Sequence, residues 1–234
     1  PARFNSTRLP GKVIKKIGDK PLIYYPYKEV LKSEIFDSVY IATDDLRVQK
    51  VASEFNADVI MTSSKHKTGT DRVAEVANKI NADIYVNIQG DEIGIKASSI
   101  EKITSELIDN SKIDIANLVC EITNPVEILS SMVVKVSMDI NHNIMYFSRS
   151  PIPYPKTEDK FKITRQIGLY AFRKEPLSKF SNIPQTPIEY IEGIEMLRFL
   201  ENGYKIKAVH STENNFDIDT YEDLSIARKI YDNK

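Results

Sequence analysis

Short apolar runs alternate with segments of helical period through the first hundred residues. Asp19 and Pro21 open a helix in which Leu22, Ile23, Tyr27, Val30 and Leu31 recur near 3.6 spacing. The run S-V-Y-I-A-T-D-D then reads as a strand ending in Asp44 and Asp45, followed by a charged helix over 46–55. A-D-V-I-M-T is a second strand, K-H-K-T-G-T-D-R a turn, and 73–80 the helix it leads into. D-I-Y-V-N-I-Q-G-D-E closes the series as a strand with Asp91 and Glu92 at its C-terminal end. Strand and helix in alternation predict right-handed βαβ units and a parallel sheet. Ligands of such sheets lie beyond the carboxyl ends of the strands, where Asp44, Asp45, Asp91 and Glu92 would cluster.

The second half follows a different pattern. A helix over 99–108 and a strand over 113–122 precede M-V-V-K-V-S-M-D and N-I-M-Y-F-S-R-S, a strand pair around a turn at 140–143. The prolines of S-P-I-P-Y-P interrupt regular structure and mark a candidate lid. T-R-Q-I-G-L-Y-A-F-R is a strand. I-E-Y-I-E-G-I-E-M-L-R-F-L-E-N-G reads as one helix closed by Gly203, with Ile188, Ile191, Ile194, Leu197 and Leu200 as its core stripe. Y-K-I-K-A-V-H-S alternates as an antiparallel edge strand would, and Asn215–Thr220 brings Asp217 and Asp219 up to a terminal helix over 221–230. The expected fold is α/β: a Rossmann-like, largely parallel central sheet with a smaller, partly antiparallel lobe. All of 1–234 forms one domain, and 130–212 supplies the lobe for acceptor binding and dimerisation.

Composition narrows the partners. The 234 residues, 41% hydrophobic, can bury one substantial core. Basic and acidic residues number 32 and 33, so the chain lacks the broad cationic face that nucleic acid requires. Cys120 is the sole cysteine and sits in an apolar run, which rules out an internal disulfide and fits a reducing cytoplasm. No stretch has the length and apolarity of a membrane span. A small anionic substrate stays open.

The opening stretch P-A-R-F-N-S-T-R-L-P-G-K points to such a substrate. Through Lys20 it carries Arg3, Arg8, Lys12, Lys15, Lys16 and Lys20 against Asp19 alone, among the small or turn-forming Ser6, Thr7, Pro10 and Gly11. Cations and closely approaching backbone N–H groups suit a triphosphate, although a solvated basic loop has the same composition. A phosphate loop normally follows a buried strand, so a first strand is expected ahead of Pro1. The strand-end acids Asp91 and Glu92 and the late acids Asp217 and Asp219 would repel one another. A Mg²⁺ ion on a phosphate chain satisfies both charge sets, since it takes one or two carboxylates plus phosphate oxygens and water. Two plainer readings stand beside this one: Asp91 as a strand-end turn acid, and Asp219 as the N-cap of the last helix.

Taken in order, P-A-R-F-N-S-T-R-L-P-G-K, I-A-T-D-D, T-G-T-D-R, N-I-Q-G-D-E, Y-F-S-R-S-P-I-P-Y, I-G-L-Y-A-F-R, L-E-N-G-Y-K-I and D-I-D-T-Y-E-D-L resemble the 3-deoxy-manno-octulosonate cytidylyltransferases over nearly the whole chain. The resemblance implies transfer of CMP from CTP to the anomeric hydroxyl of a 3-deoxy-2-ulosonic acid, with release of pyrophosphate, feeding lipopolysaccharide synthesis. It implies that Arg3, Ser6, Arg8 and Lys12 hold the triphosphate, that Thr70, Asp71 and Arg72 frame the nucleotide, and that Asp91 and Asp219 hold Mg²⁺. Arg8, Lys12 and Asp91 are the implied catalytic set. Gln89, Arg149, Gln166, Tyr170, Glu189 and Tyr190 would bind the acceptor, and the resemblance also implies a cytoplasmic homodimer.

The acceptor side departs from the family pattern. R-Q-I-G-L-Y-A-F-R has Gln166 where the family usually has His, Tyr190 replaces a Gln beside Glu189, and Ile93 replaces the proline of Q-G-D-E-P. Gln166 can donate and accept hydrogen bonds but cannot become cationic, whereas Tyr190 adds bulk and an apolar face. The departures point either to neutral change or to a different acceptor, such as an amino-substituted octulosonate. Two rival readings remain: a catalytically silent nucleotide-binding or regulatory module, and a nucleotidyltransferase of the same fold acting on a sugar 1-phosphate.

Overall fold

The computed structural model describes residues 1–6, 8–156, 162–211 and 216–231. Its elements run from a 3₁₀ turn (Lys12–Ile14) through β1 (Lys16–Ile17), β2 (Lys20–Pro21), α1 (Tyr24–Val30), β3 (Ile41–Thr43), α2 (Leu46–Ser53), β4 (Val59–Met61) and α3 (Gly69–Ala77). Then follow β5 (Ile84–Ile88), β6 (Glu92–Ile93), α4 (Ala97–Asp109), β7 (Ile115–Glu121), α5 (Pro125–Leu129), β8 (Lys135–Met138), β9 (Ile144–Ser148) and β10 (Thr164–Arg173). The last are α6 (Lys174–Phe180), α7 (Pro187–Glu192), α8 (Met196–Glu201), β11 (Lys207–Ser211), β12 (Phe216–Asp217) and α9 (Tyr221–Tyr231). Thr7 and Asn215 lie outside the described residues, as does the side chain of Asp217.

Two compact units emerge, and the α/β class holds. The first comprises 1–81, 87–101 and 213–234. Here β3 and β4 pair in parallel from Ile41↔Val59 to Thr43↔Met61, and Ala2 bridges Thr43 in parallel. One apolar cluster gathers Ala2, Val13, Ile23, Tyr27, Ile41, Val48 and Ala52. A second joins Leu9, Ile17, Leu22 and Ile93 to Ile218, Leu224 and Ala227, which seats α9 and the chain at Asp219 just before it. The helix expected from Asp19 begins later, at Tyr24. Lys16–Ile17 and Lys20–Pro21 instead form an antiparallel hairpin turned at Gly18, whose φ of 60° lies in the region that favours glycine.

The second unit comprises 82–86 and 102–212, so it contains the expected lobe and also 102–129. Its sheet has the order β11-β7-β10-β8-β9, with β5 also paired to β10. β10 is antiparallel to both β7 and β8, and β8 to β9. β11 differs from its expected antiparallel pairing: it runs parallel to β7, from Lys207↔Ala116 to Ser211↔Cys120. The long intervening segment, with three strands and four helices, returns the chain in the same direction, as parallel pairing requires.

The single helix expected over 188–203 is two helices. Gly193, at φ 64°, caps α7 and its N–H reaches the Glu189 carbonyl at 2.8 Å. The break leaves Ile191 80% exposed while Ile194 and Leu197 are buried, so only the second half of the stripe is core. The buried face of α7 holds Glu189 instead. Its carboxylate pairs with Arg198 through Nε at 2.8 Å and Nη2 at 2.6 Å, and the guanidinium also stacks 4.0 Å over the Phe180 ring. A buried pair broken on one side leaves an uncompensated charge. Arg198→Met is therefore expected to cost about 3–5 kcal/mol in denaturant unfolding, and adding Glu189→Met should recover most of that loss.

Candidate active site

The basic loop is held from both ends of its turn. Ala2 N–H donates to Ala42 O at 2.8 Å, and Gly90 N–H to Pro1 O at 3.2 Å, so residues 1–2 run between the ends of β3 and β5. Gly11 turns the chain back with φ 67°, and its N–H donates to Phe4 O at 3.0 Å. A Cβ at Gly11 would lie 3.1 Å from the Phe4 ring, and the Arg47 guanidinium covers that ring at 3.3 Å. This wedge sets Lys12 at the start of the 3₁₀ turn with its side chain directed inward.

Lys12 is buried and donates to Asp91 Oδ2 and, at 2.9 Å, to Asp219 Oδ1. Arg8 Nη2 meets the other Asp219 oxygen at 2.8 Å. Burial is the largest influence on the Lys12 ammonium and lowers its pKa, but the two carboxylates together outweigh it and raise the pKa above the ordinary lysine value. Burial likewise pushes the Asp219 carboxyl up, and Lys12 with Arg8 holds it below the usual carboxylate range. Asp219 is not the cap of α9. Thr220 has that role, accepting from Asp223 N–H at 3.1 Å while Asp223 accepts from Thr220 N–H at 2.8 Å. The Asp219 carboxylate is thereby left to the site.

These groups line one pocket of about 200 Å³ with Arg3, Ser6, Arg72, Gln89 and Gly90. Another wall is His66, Lys67, Thr68 and Gly69. That wall falls in the turn expected before a helix at 73. The helix in fact starts at Gly69, capped reciprocally by Thr68 and Asp71, and the T-x-x-D spacing was the signal for it. Of the nucleotide triad, only Arg72 lines the pocket. Asp71 closes the cap, and buried Thr70 accepts from Asn87 Nδ2 at 3.3 Å. Gly69 lies close under Gln89: a Cβ there would sit 2.6 Å from Gln89 Nε2 and displace that side chain.

The four strand-end acids do not cluster as expected. Asp44 pairs with Arg72 at 3.0 Å, Asp45 caps α2 and pairs with Arg47 at 2.6 Å, and Glu92 is buried in β6. Among the described residues no three His, Cys, Asp or Glu side chains could hold a metal together. Asp91 and Asp219 converge on one ammonium, so two carboxylates are already arranged about a positive charge. This donor set fits Mg²⁺ that completes its shell with phosphate and water.

In the second unit, Arg149 donates to three backbone carbonyls: Glu192 at 2.7 Å, Ser131 at 2.8 Å and Gly193 at 3.3 Å. Gln166 and Tyr170 flank an irregular stretch of β10. Tyr190 is 74% exposed on α7, whereas Glu189 is spent on Arg198. Glu189, expected on the acceptor face, is buried against Arg198.

Glu75 anchors the pocket wall that sequence reasoning missed. It accepts from Ser63 N–H at 2.8 Å, His66 Nε2 at 2.5 Å and Lys79 Nζ at 2.6 Å. Burial alone would raise its pKa, but the Lys79, Ser63 and His66 bonds hold it down to about 2, from an ordinary 4.5. A depressed carboxyl contributes stability above its unfolded pKa and loses it as pH falls through the folded one. Glu75→Gln should lower Tm by about 3 °C at neutral pH. The gap to wild type should narrow between pH 4.5 and about 2. A gap constant across that range in thermal melts would contradict the assignment.

Residues 1–206 match the family of cytidylyltransferases. The 3-deoxy-manno-octulosonate cytidylyltransferase of Flavobacterium johnsoniae is 40% identical over 98% of this chain and 96% of its own. That of Escherichia coli is 36% identical over 98% and 93%. The solved structure of a CMP:2-keto-3-deoxy-manno-octonic acid synthetase complexed with CTP superposes with a TM-score of 0.93 at 35% identity, covering 100% of this chain and 96% of that one. The inositol-1-phosphate CTP transferase of T. maritima, at 15% identity and a TM-score of 0.68 over 95% and 86%, shares the fold. The chain belongs to the cytidylyltransferases, among the 3-deoxy-manno-octulosonate cytidylyltransferases.

Proposed function

We propose that this protein transfers CMP from CTP to the anomeric hydroxyl of 3-deoxy-manno-octulosonate (Kdo) or a close 3-deoxy-2-ulosonic acid, releasing pyrophosphate. The observation that carries this reading is the convergence of Lys12, Arg8, Asp91 and Asp219 in the pocket under the basic loop. The hydroxyl oxygen forms a bond to the α-phosphorus as the bridging bond to the β-phosphate breaks. Arg3, Arg8 and Lys12 stabilise the charge that develops on the α-phosphate and the leaving pyrophosphate, and Ser6 supplies a hydrogen bond. Arg72 and the 66–69 wall frame the nucleotide, with Thr70 and Asp71 holding the helix start that positions them. Asp91 and Asp219 would hold Mg²⁺, which when bound neutralises phosphate charge. Gln89, Arg149, Gln166, Tyr170 and Tyr190 are assigned to the acceptor.

A cytoplasmic homodimer with neither nucleic-acid nor membrane partners completes the reading. Exposed Ile140 and Met145 at the β8–β9 hairpin support the dimer. No helix among the described residues is long and apolar enough to cross a membrane.

The test is pyrophosphate release from CTP and Mg²⁺ with a panel of sugar acids. Release with Kdo or a relative is expected, and no release with any acid would overturn the reading. Asp91→Asn should lower kcat by at least about 100-fold, and near-normal turnover would move the metal elsewhere.

A further inference from the structure

Between Ala2 and Leu9 the basic loop has one apolar side chain, Phe4. Arg3, Ser6 and Arg8 reach the pocket from this stretch, whose described residues form neither helix nor strand. Holding so polar a segment in one shape costs conformational entropy that packing must offset. Phe4 supplies that packing. It lies against the cluster of Ala2, Val13, Ile23 and Val48, and its carbonyl accepts from Gly11 N–H at 3.0 Å, which closes the loop just before Lys12. The Arg47 guanidinium carbon stands 3.3 Å from the Phe4 ring centroid.

That guanidinium is itself fixed. Asp45, the N-cap of α2, accepts through one oxygen from Arg47 N–H at 2.8 Å and Nε at 2.9 Å, and through the other from Nη2 at 2.6 Å. A forked pair of this kind sets the plane of the guanidinium, and a planar cation stacks on an aromatic face. Asp45 follows β3, whose Thr43 bridges Ala2. The loop is therefore tied to the β3–α2 connection on both sides of Arg3, at Ala2 through Thr43 and at Phe4 through Arg47. Arg47 is not among the residues that line the pocket, and Asp45 meets its charge. Its side chain is 60% exposed, and so exposed an ion pair contributes little to overall stability, so its removal isolates the effect on the loop.

We propose that Arg47 is a positioning residue for the triphosphate: held by Asp45 and stacked on Phe4, it fixes the basic loop in the shape that carries Arg3 and Lys12 to the pocket. The proposal rests on the cytidylyl-transfer reading above. A loop already in its binding shape spares the nucleotide the cost of ordering it, so the clamp acts on affinity for CTP and leaves the chemical step alone.

The test compares variants with wild type in calorimetric CTP titrations and steady-state kinetics. Arg47→Ala should weaken CTP binding and raise its KM by roughly 5-fold, with kcat at saturating CTP and the KM for Kdo within about 2-fold. Arg47→Lys keeps the charge but loses the flat, forked pairing, and should recover less than about half of that loss. Phe4→Leu should reproduce the loss, and adding Arg47→Ala to it should cost less than about 1.5-fold more, since both act through one contact. Without nucleotide, the Gly11 and Lys12 amide signals should move in Arg47→Ala. If that variant does not fold, Asp45→Asn replaces it, because asparagine still caps α2 but loses the charged pair. CTP affinity within about 2-fold of wild type, full recovery in Arg47→Lys, or losses that multiply in the double variant overturn the proposal. Wild type that neither binds CTP nor releases pyrophosphate overturns the cytidylyl-transfer reading instead, and the amide signals then decide the clamp: if they stay unmoved, it is overturned.

Discussion

One ammonium organises the first unit. Lys12 Nζ is withdrawn from water and needs anionic partners; Asp91 lies 79 positions away in sequence and Asp219 lies 207 away. A buried cation without them would be costly, and two carboxylates without it would repel each other. The fold meets this constraint with backbone contacts: residues 1–2 bonded to the ends of β3 and β5, the Phe4 wedge under Gly11, and the Thr220–Asp223 cap that spares Asp219. The result is a pocket whose cations and carboxylates stand ready before any ligand arrives. Electrostatic catalysis requires such prior arrangement, because groups already oriented need not reorganise during reaction.

Much of this was legible in the sequence where the signal is local or carried by order. Strand-forming runs such as I-A-T and T-R-Q-I-G-L-Y-A-F-R lie where their apolar pattern placed them, and the turn at 140–143 joins β8 to β9. Charge complementarity brought the basic loop to Asp91, Glu92, Asp217 and Asp219, and the family resemblance singled out Asp91 and Asp219, which the structure places on Lys12. Failures arose where a tertiary partner overrode a pattern. Helical spacing from Ile188 to Leu200 could not show that Gly193 would break the helix, nor that buried Glu189 would be matched by Arg198. The strand-end acids looked equivalent in sequence, yet Arg72 and Arg47 claim two of them. Pairing direction at β11 was invisible because alternation reports burial on two faces and carries no sense of strand polarity.

The two units use different polar interactions. The pocket under the basic loop is made of charged groups whose partners are mutually required, so a change in one exposes another. The β10 bulge of the second unit depends instead on neutral amides, where Asn117 donates to Ile167 O and Leu169 O and accepts from Gln166. Neutral amides do not titrate, so this arrangement is independent of pH where the charged cluster is not.

The account turns on attack by the sugar acid's anomeric oxygen at the α-phosphorus of CTP. Kdo whose anomeric oxygen has been exchanged with ¹⁸O-water tests this in a reaction followed by ³¹P NMR. The account predicts an isotope-shifted phosphodiester signal, with unlabelled pyrophosphate as the other product. Unlabelled CMP, or label carried into pyrophosphate, would contradict it.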